Sequence, residues 1–190
     1  LSEKLRGLSA RRTLPRWRSD TFFARPGVAQ GGGHINGEVV LLADTFSNYF
    51  EPDNARAALA VLRAAGYLVH LPRAGGAARP LCCGRTFLAA GLVDEAKFEA
   101  RRTLDALKPF VERGVPVIGL EPACLLGLRD EYLSMLPGED SAKLALNAFL
   151  FEEFLARESD AGRLKLKFKA LPHKKALLHG HCHQKAFDAM

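Results

Sequence analysis

Only four cysteines, two methionines and one tryptophan occur in the 190 residues of this chain. No apolar run reaches the roughly 20 residues that cross a bilayer. The longest stretches, VPVIGL and LALNAFLF, have the length of a core strand or core helix. The opening LSEKLRGLSARRTLPRWRSD lacks the apolar centre of a secretory signal, so no export address is read. Cysteines this few and this irregularly spaced do not form a secreted disulfide scaffold, which makes a cytoplasmic location the expectation. A G-x-G-x-x-G turn, a Walker loop, a G-x-S-x-G elbow and a ferredoxin-type cysteine run are also missing. By itself the chain is therefore not expected to bind a dinucleotide or a flavin, and no catalytic residue is assigned.

Hydrophobic residues make up 48% and charged ones 25%, the balance of an ordinary globular protein. The net charge of +6 is concentrated in two places. One is an arm with Arg6, Arg11, Arg12, Arg16 and Arg18; the other runs from Arg163 to Lys175, with six basic residues and no acidic one. Neither shows aromatics interleaved on a reading surface, so surface charge is read there and no nucleic-acid partner is expected.

Residues 1–37 read as a basic arm and a glycine-rich linker, RPGVAQGGGHING, with Trp17, Phe22 and Phe23 expected to be loosely held. Order begins at residue 38. EVVLLAD has the β-branched, continuous character of a strand buried on both faces. ARAALAVLRAAG has helical spacing and a glycine stop, and YLVHLP is a second strand. LVDEAKFEARRTLDALKPFVERG is a long helix, VPVIGLE a third strand, and Pro122 suits the first turn of the helix ACLLGLRDEYLSML. EDSAKLALNAFLFEEFLARE predicts one amphipathic helix, and RLKLKFKAL an exposed edge strand. The fold class expected is α/β, a three-layer Rossmann-like parallel sheet repeat over 38–160, with the start of a second, truncated repeat over 161–190. KALLHG would open that second unit. A strand needs a covering helix, so the chain is expected to be a fragment of a longer polypeptide.

RPLCCGRTF, residues 79–87, places Cys82 beside Cys83. Neighbouring Cα atoms lie about 3.8 Å apart, closer than a disulfide wants, so the two sulfurs are free to point at something else. Ligands gather at the carboxyl ends of parallel strands. Asp44 ends the first strand, Cys82 and Cys83 follow the second, and Glu121 and Cys124 follow the third. Gly84 would let backbone approach a bulky ligand, and a helix start at Pro122 favours anionic sulfur. Buried cysteines also serve simply as small hydrophobes. In HGHCHQK, the residues His179, His181, Cys182 and His183 are zinc-ligand types, but an extended segment sends His181 and Cys182 to opposite sides. His34 and His70 carry no partner signal.

LCCGRTFLAAGLVDEAK, VIGLEPACLLGLRDEY and LLHGHCHQKAF together resemble the cysteine-rich CCG domain of the iron–sulfur proteins of glycolate, lactate and glycerol-3-phosphate oxidation, found also in the B-type polypeptide of heterodisulfide reductase. EPAC and HGHCHQKA look closest to the branch fused behind an FAD-linked oxidase domain and a ferredoxin-type module. The likeness covers residues 38–190, and ARRTLPRWR resembles the connector before them. It implies a tandem repeat of strand–Cys, Cys-Cys-Gly and Cys-Pro-x-Cys around a 4Fe-4S cluster. This chain departs from the pattern: Asp44 stands at the first cysteine, and Glu121-Pro122-Ala123-Cys124 replaces Cys-Pro-x-Cys. The implied ligands are Cys82, Cys83, Cys124 and Cys182, with Gly84 beside them and Asp44, Glu121 or His183 available to complete the set. The implied function is electron transfer within a flavin-dependent 2-hydroxyacid oxidoreductase of lactate or glycolate type. FAD would lie in the parent domain, and the partners would be flavin-oxidase and ferredoxin-type domains and a quinone or other acceptor, at the inner membrane face without a transmembrane segment. The alternatives are a degenerate repeat that acts as a docking scaffold, and a zinc or thiol-redox module.

Overall fold

The computed structural model describes residues 15–24, 36–73, 79–170 and 177–188, with positions 7, 9, 11, 13, 172 and 175. EVVLL forms strand β1, Glu38–Leu42, whose Val39, Val40 and Leu41 are wholly buried. Covered faces on both sides are what a β-branched, non-alternating run predicts. A short helix α1, Thr45–Tyr49, then leads into α2, Pro52–Ala64. Pro52 opens α2, where its missing N–H costs nothing, and Ala55, Ala58, Leu59 and Leu62 form the buried stripe. Strand β2 is Leu68–His70.

Beyond the cysteine loop come α3, Arg85–Ala89, and the long helix α4, Val93–Val111. Ala96, Ala100, Thr103, Leu104, Leu107 and Val111 line the inner face of α4. Strand β3, Val117–Gly119, runs into α5, Pro122–Arg129, and α6, Glu131–Met135. Among the described residues, four parallel strands run in the order β2-β1-β3-β4, the three-layer α/β arrangement expected of a Rossmann-like sheet. Period-two alternation splits the core. Val40, Leu42 and Val117 face α4, α5 and α7 (Glu139–Asn147). Val39, Leu41 and Ile118 face α2 and α8 (Phe151–Asp160).

Four expectations need correction. The segment 139–158 is not one helix: α7 gives way to strand β4, Ala148–Leu150, before α8 begins. The open edge of β3 supplies the reason, because Ala148, Phe149 and Leu150 pair with Val117, Ile118 and Gly119. Glu153 accepts from the Leu150 amide at 2.8 Å and restarts the helix. The described residues of RLKLKFKAL form no ladder. Leu164 and Leu166 still turn toward the core and Lys165, Lys167 and Lys169 outward, so the alternation is real but unpaired. The described residues of KALLHG likewise form no strand. Finally, residues 17–24 are not loose. Phe22 is fully buried against α2, Trp17 stacks on Phe50 at 4.5 Å, and Arg56 ties Asp20 and Asp53 together. Of the arm, His34, Arg6 and Arg12 lie outside the described residues. No helix of the described residues is long and apolar enough to cross a membrane.

Candidate sulfur site at the carboxyl edge of the sheet

Gly84 sets the local geometry. Its φ of +83° is the left-handed conformation that glycine alone adopts freely, and the turn it makes starts α3. A Cβ there would stand 2.6 Å from the Ala96 carbonyl oxygen, so the close neighbour of Gly84 is the backbone of α4. Thr103, on α4, donates to the Cys82 carbonyl at 2.7 Å, and Tyr132, on α6, donates to the Cys83 carbonyl at 3.1 Å. The loop is therefore held by side chains from two different helices.

The result is a meeting of sulfurs from distant sequence. The Cys83 thiol donates to Cys124 Sγ at 3.1 Å, and the Gly84 amide donates to Cys82 Sγ at 3.5 Å. Cys124 is buried, and Cys82 and Cys83 are partly buried. Its hydrogen bond to Cys124, together with burial, pushes the Cys83 thiol up to about 12. The Cys82 thiol is also raised, first by Cys83 and then by burial. Both are neutral thiols near neutrality, and metal binding would have to displace their protons.

The carboxylates have other work. Asp44 Oδ1 accepts from the Phe46 and Ser47 amides at 2.7 and 3.0 Å, and Oδ2 accepts from the Ser47 hydroxyl at 2.6 Å, so Asp44 caps α1. Glu121 accepts from the Ala123 amide at 3.3 Å and caps α5. Cys182 is exposed at the start of a one-turn helix α9, Cys182–Ala186, that packs on α5. His181 Nε2 lies 3.9 Å from Glu121, and His181 Nδ1 accepts from the His183 amide at 3.2 Å.

Arg85, Tyr132 and Thr103 carry no signal in the sequence, and Arg85 is the most connected of them. Its guanidinium pairs with Glu131 and donates to His183 Nε2 at 2.7 Å. Arginine is never an acceptor, so His183 must present its Nε2 lone pair and carry its proton on Nδ1. That Nδ1 is buried without a partner among the described residues. Desolvation, then the Arg85 charge, depresses the His183 pKa and keeps the ring neutral. His183 thus faces Arg85 and His181 faces Glu121, while Cys182 Sγ lies 3.8 Å from His181 Nδ1, and among the described residues these groups do not gather around one zinc ion.

The donor chemistry suits an iron–sulfur cluster, for which thiolates are the usual ligands. The space is closed, however. The cavity bounded by Cys83, Cys124, Leu88 and Tyr132 measures about 10 Å³, room for no more than one water. Among the described residues, no three His, Cys, Asp or Glu side chains are grouped to hold a metal ion. Loading would have to part the sulfurs.

The chain is homologous to one component of a dehydrogenase. It is 32% identical over 176 residues to the C subunit of the anaerobic glycerol-3-phosphate dehydrogenase of Escherichia coli (strain K12), covering 91% of this chain and 42% of the relative. Its counterpart in Escherichia coli O157:H7 matches with the same identity and coverage. The chain thus spans 42% of the length of the curated relatives it matches. No family model and no solved structure matches.

Proposed function

We propose that this chain is an iron–sulfur electron-transfer unit of a flavin-linked dehydrogenase, with Cys82, Cys83, Cys124 and Cys182 as the thiolates that hold a 4Fe-4S cluster. The single observation that carries the reading is the 3.1 Å approach of Cys83 to Cys124, with Cys82 adjacent. Cys83 comes from the loop after β2 and Cys124 from the first turn of α5 after β3, 41 positions apart. The dehydrogenase to which the homologous polypeptide belongs supports a redox setting. When bound, the cluster would supply one-electron chemistry. The chain's part is to fix the thiols through Gly84, Thr103 and Tyr132, and to bring Cys182 near them through the bond from Arg85 to His183. The substrate would lose a hydride equivalent to FAD in a partner domain, whether it is a 2-hydroxyacid or a polyol phosphate, and the electrons would leave toward a quinone or other acceptor. Docking to flavin-oxidase and ferredoxin-type domains, at the cytoplasmic face of the membrane, follows from the same reading.

Anaerobic reconstitution of the native polypeptide with iron and sulfide tests it. The expected product is brown, binds iron and sulfide in equal amounts, and loses both in Cys83→Ser and Cys124→Ser. A colourless product without iron overturns it. A second reading, a degenerate repeat that only docks its partners, is favoured by the capping roles of Asp44 and Glu121 and by the closed sulfur contact. It expects those serine variants to leave electron transfer intact.

A further inference from the structure

A second cavity, of about 260 Å³, opens where the chain leaves the carboxyl ends of β1 and β2, and Thr21, Asn48, Arg73 and Arg79 contribute to its lining. Asn48 is 1% exposed. Its Oδ1 accepts from the Phe23 amide at 3.2 Å, which orients the side chain and leaves Nδ2 as the free end. That nitrogen donates to no described residue and is open toward the cavity that Asn48 lines. Arg73 stacks its guanidinium 4.4 Å above the Phe23 ring and reaches the Phe23 carbonyl at 3.4 Å, and it pairs with no carboxylate among the described residues. Arg79 shares the buried carboxylate of Glu99 with Arg102, two cations on one anion. The rim therefore carries uncompensated positive charge, and the wall holds an amide donor without an acceptor.

We propose that this cavity binds a small organic oxyanion, a carboxylate or phosphate monoester, with Asn48 Nδ2 and the Thr21 hydroxyl donating from the wall and Arg73 supplying the charge. The volume falls below the roughly 300–1,000 Å³ of sites for drug-sized ligands, which selects a small acid over a nucleotide. The Phe23 ring under Arg73 holds the guanidinium in place before the ligand arrives, which reduces the ordering cost of binding. This site is independent of the sulfur chemistry, and it can be tested without iron.

The test is a titration of the metal-free native polypeptide with sodium acetate, sodium phosphate and uncharged acetamide at constant ionic strength, followed by nuclear magnetic resonance. Acetate or phosphate is expected to shift the Asn48 side-chain amide and the Phe23 amide saturably, and acetamide to leave them in place. Saturation by acetate alone identifies a carboxylate ligand, and by phosphate alone a phosphate ester. Arg73→Gln, a rim substitution, is expected to weaken binding about tenfold or more, the loss of a charge-assisted hydrogen bond. Thr21→Val should weaken it by a smaller factor. Shifts that acetamide reproduces, shifts that never saturate, or an Arg73→Gln protein that binds as tightly as the parent overturn the proposal.

Discussion

Cys83, in a loop fastened by α4 and α6, and Cys124, in the first turn of α5, are enclosed with Leu88, Tyr132 and Met135. Cys182, by contrast, is exposed at the start of a one-turn helix, reached through residues 161–181 that form no helix or strand where they are described. Phe168, Leu177 and Leu178, between 80% and 99% exposed, show how little that stretch buries. Two side-chain links keep α9 in place: Arg85 to His183, and Gln184 to Glu152 at 2.7 Å. The contrast teaches that the first three thiols are positioned by the core, and the fourth by polar tethers. Damage to the core should therefore scatter the first group, and damage to a tether should release only Cys182.

The largest effect is expected from Gly84→Ala. It combines a left-handed backbone with a Cβ 2.6 Å from a backbone oxygen that cannot swing away. A loss of about 4 kcal/mol is expected in urea unfolding, with Cys83 becoming open to alkylation. Leu126→Ala removes a fully buried side chain from the core beneath the thiols and should cost about 3 kcal/mol by the same measurement.

The joint between the two regions is Glu158, which accepts from Tyr67 at 2.6 Å and from Arg163 at 2.6 and 2.7 Å. Tyr67→Phe should cost about 1.5 kcal/mol, the value of a hydrogen bond to a charged acceptor. Arg163 first, with help from Tyr67, holds the Glu158 carboxyl below its ordinary 4.5. The native state therefore binds fewer protons than the unfolded one. This contribution is present above pH 4.5 and disappears as the pH falls through the lowered native value. Urea titrations between pH 6 and pH 3 should show a shallower acid slope in Glu158→Gln than in the parent. Smallest of all, Cys182→Ser should move stability by no more than about 0.5 kcal/mol, and mass mapping after brief iodoacetamide treatment should find Cys182 labelled well ahead of Cys83. A Cys182 as slow to label as Cys83 would erase the contrast.

Much of the frame was readable from the residues. EVVLL, LVH and VIG announced buried strands by composition, and their carboxyl ends brought Cys82, Cys83 and Cys124 to one edge as the spacing predicts. Strand β4 was hidden because LALNAFLF fits a helical stripe as well as a strand, and only the open edge of β3 decides between them. Asp44 looked like a ligand from its place after a strand, yet the same place suits a helix cap, and two amides claimed it. Arg85 and Tyr132 were invisible for a different reason. Their partners lie 98 and 49 residues away, and no local pattern encodes such a distance.

Strands β1 and β3 touch directly, with Val40 opposite Val117 and Leu41 opposite Ile118. That alignment works like the teeth of a gear. Slipped by one residue, β3 would turn Ile118 to the wrong flank and carry Pro122 and Cys124 round with it, because a strand's side chains alternate. Sulfur contact across the cleft would then vanish without a single atom of the cysteine loop having changed.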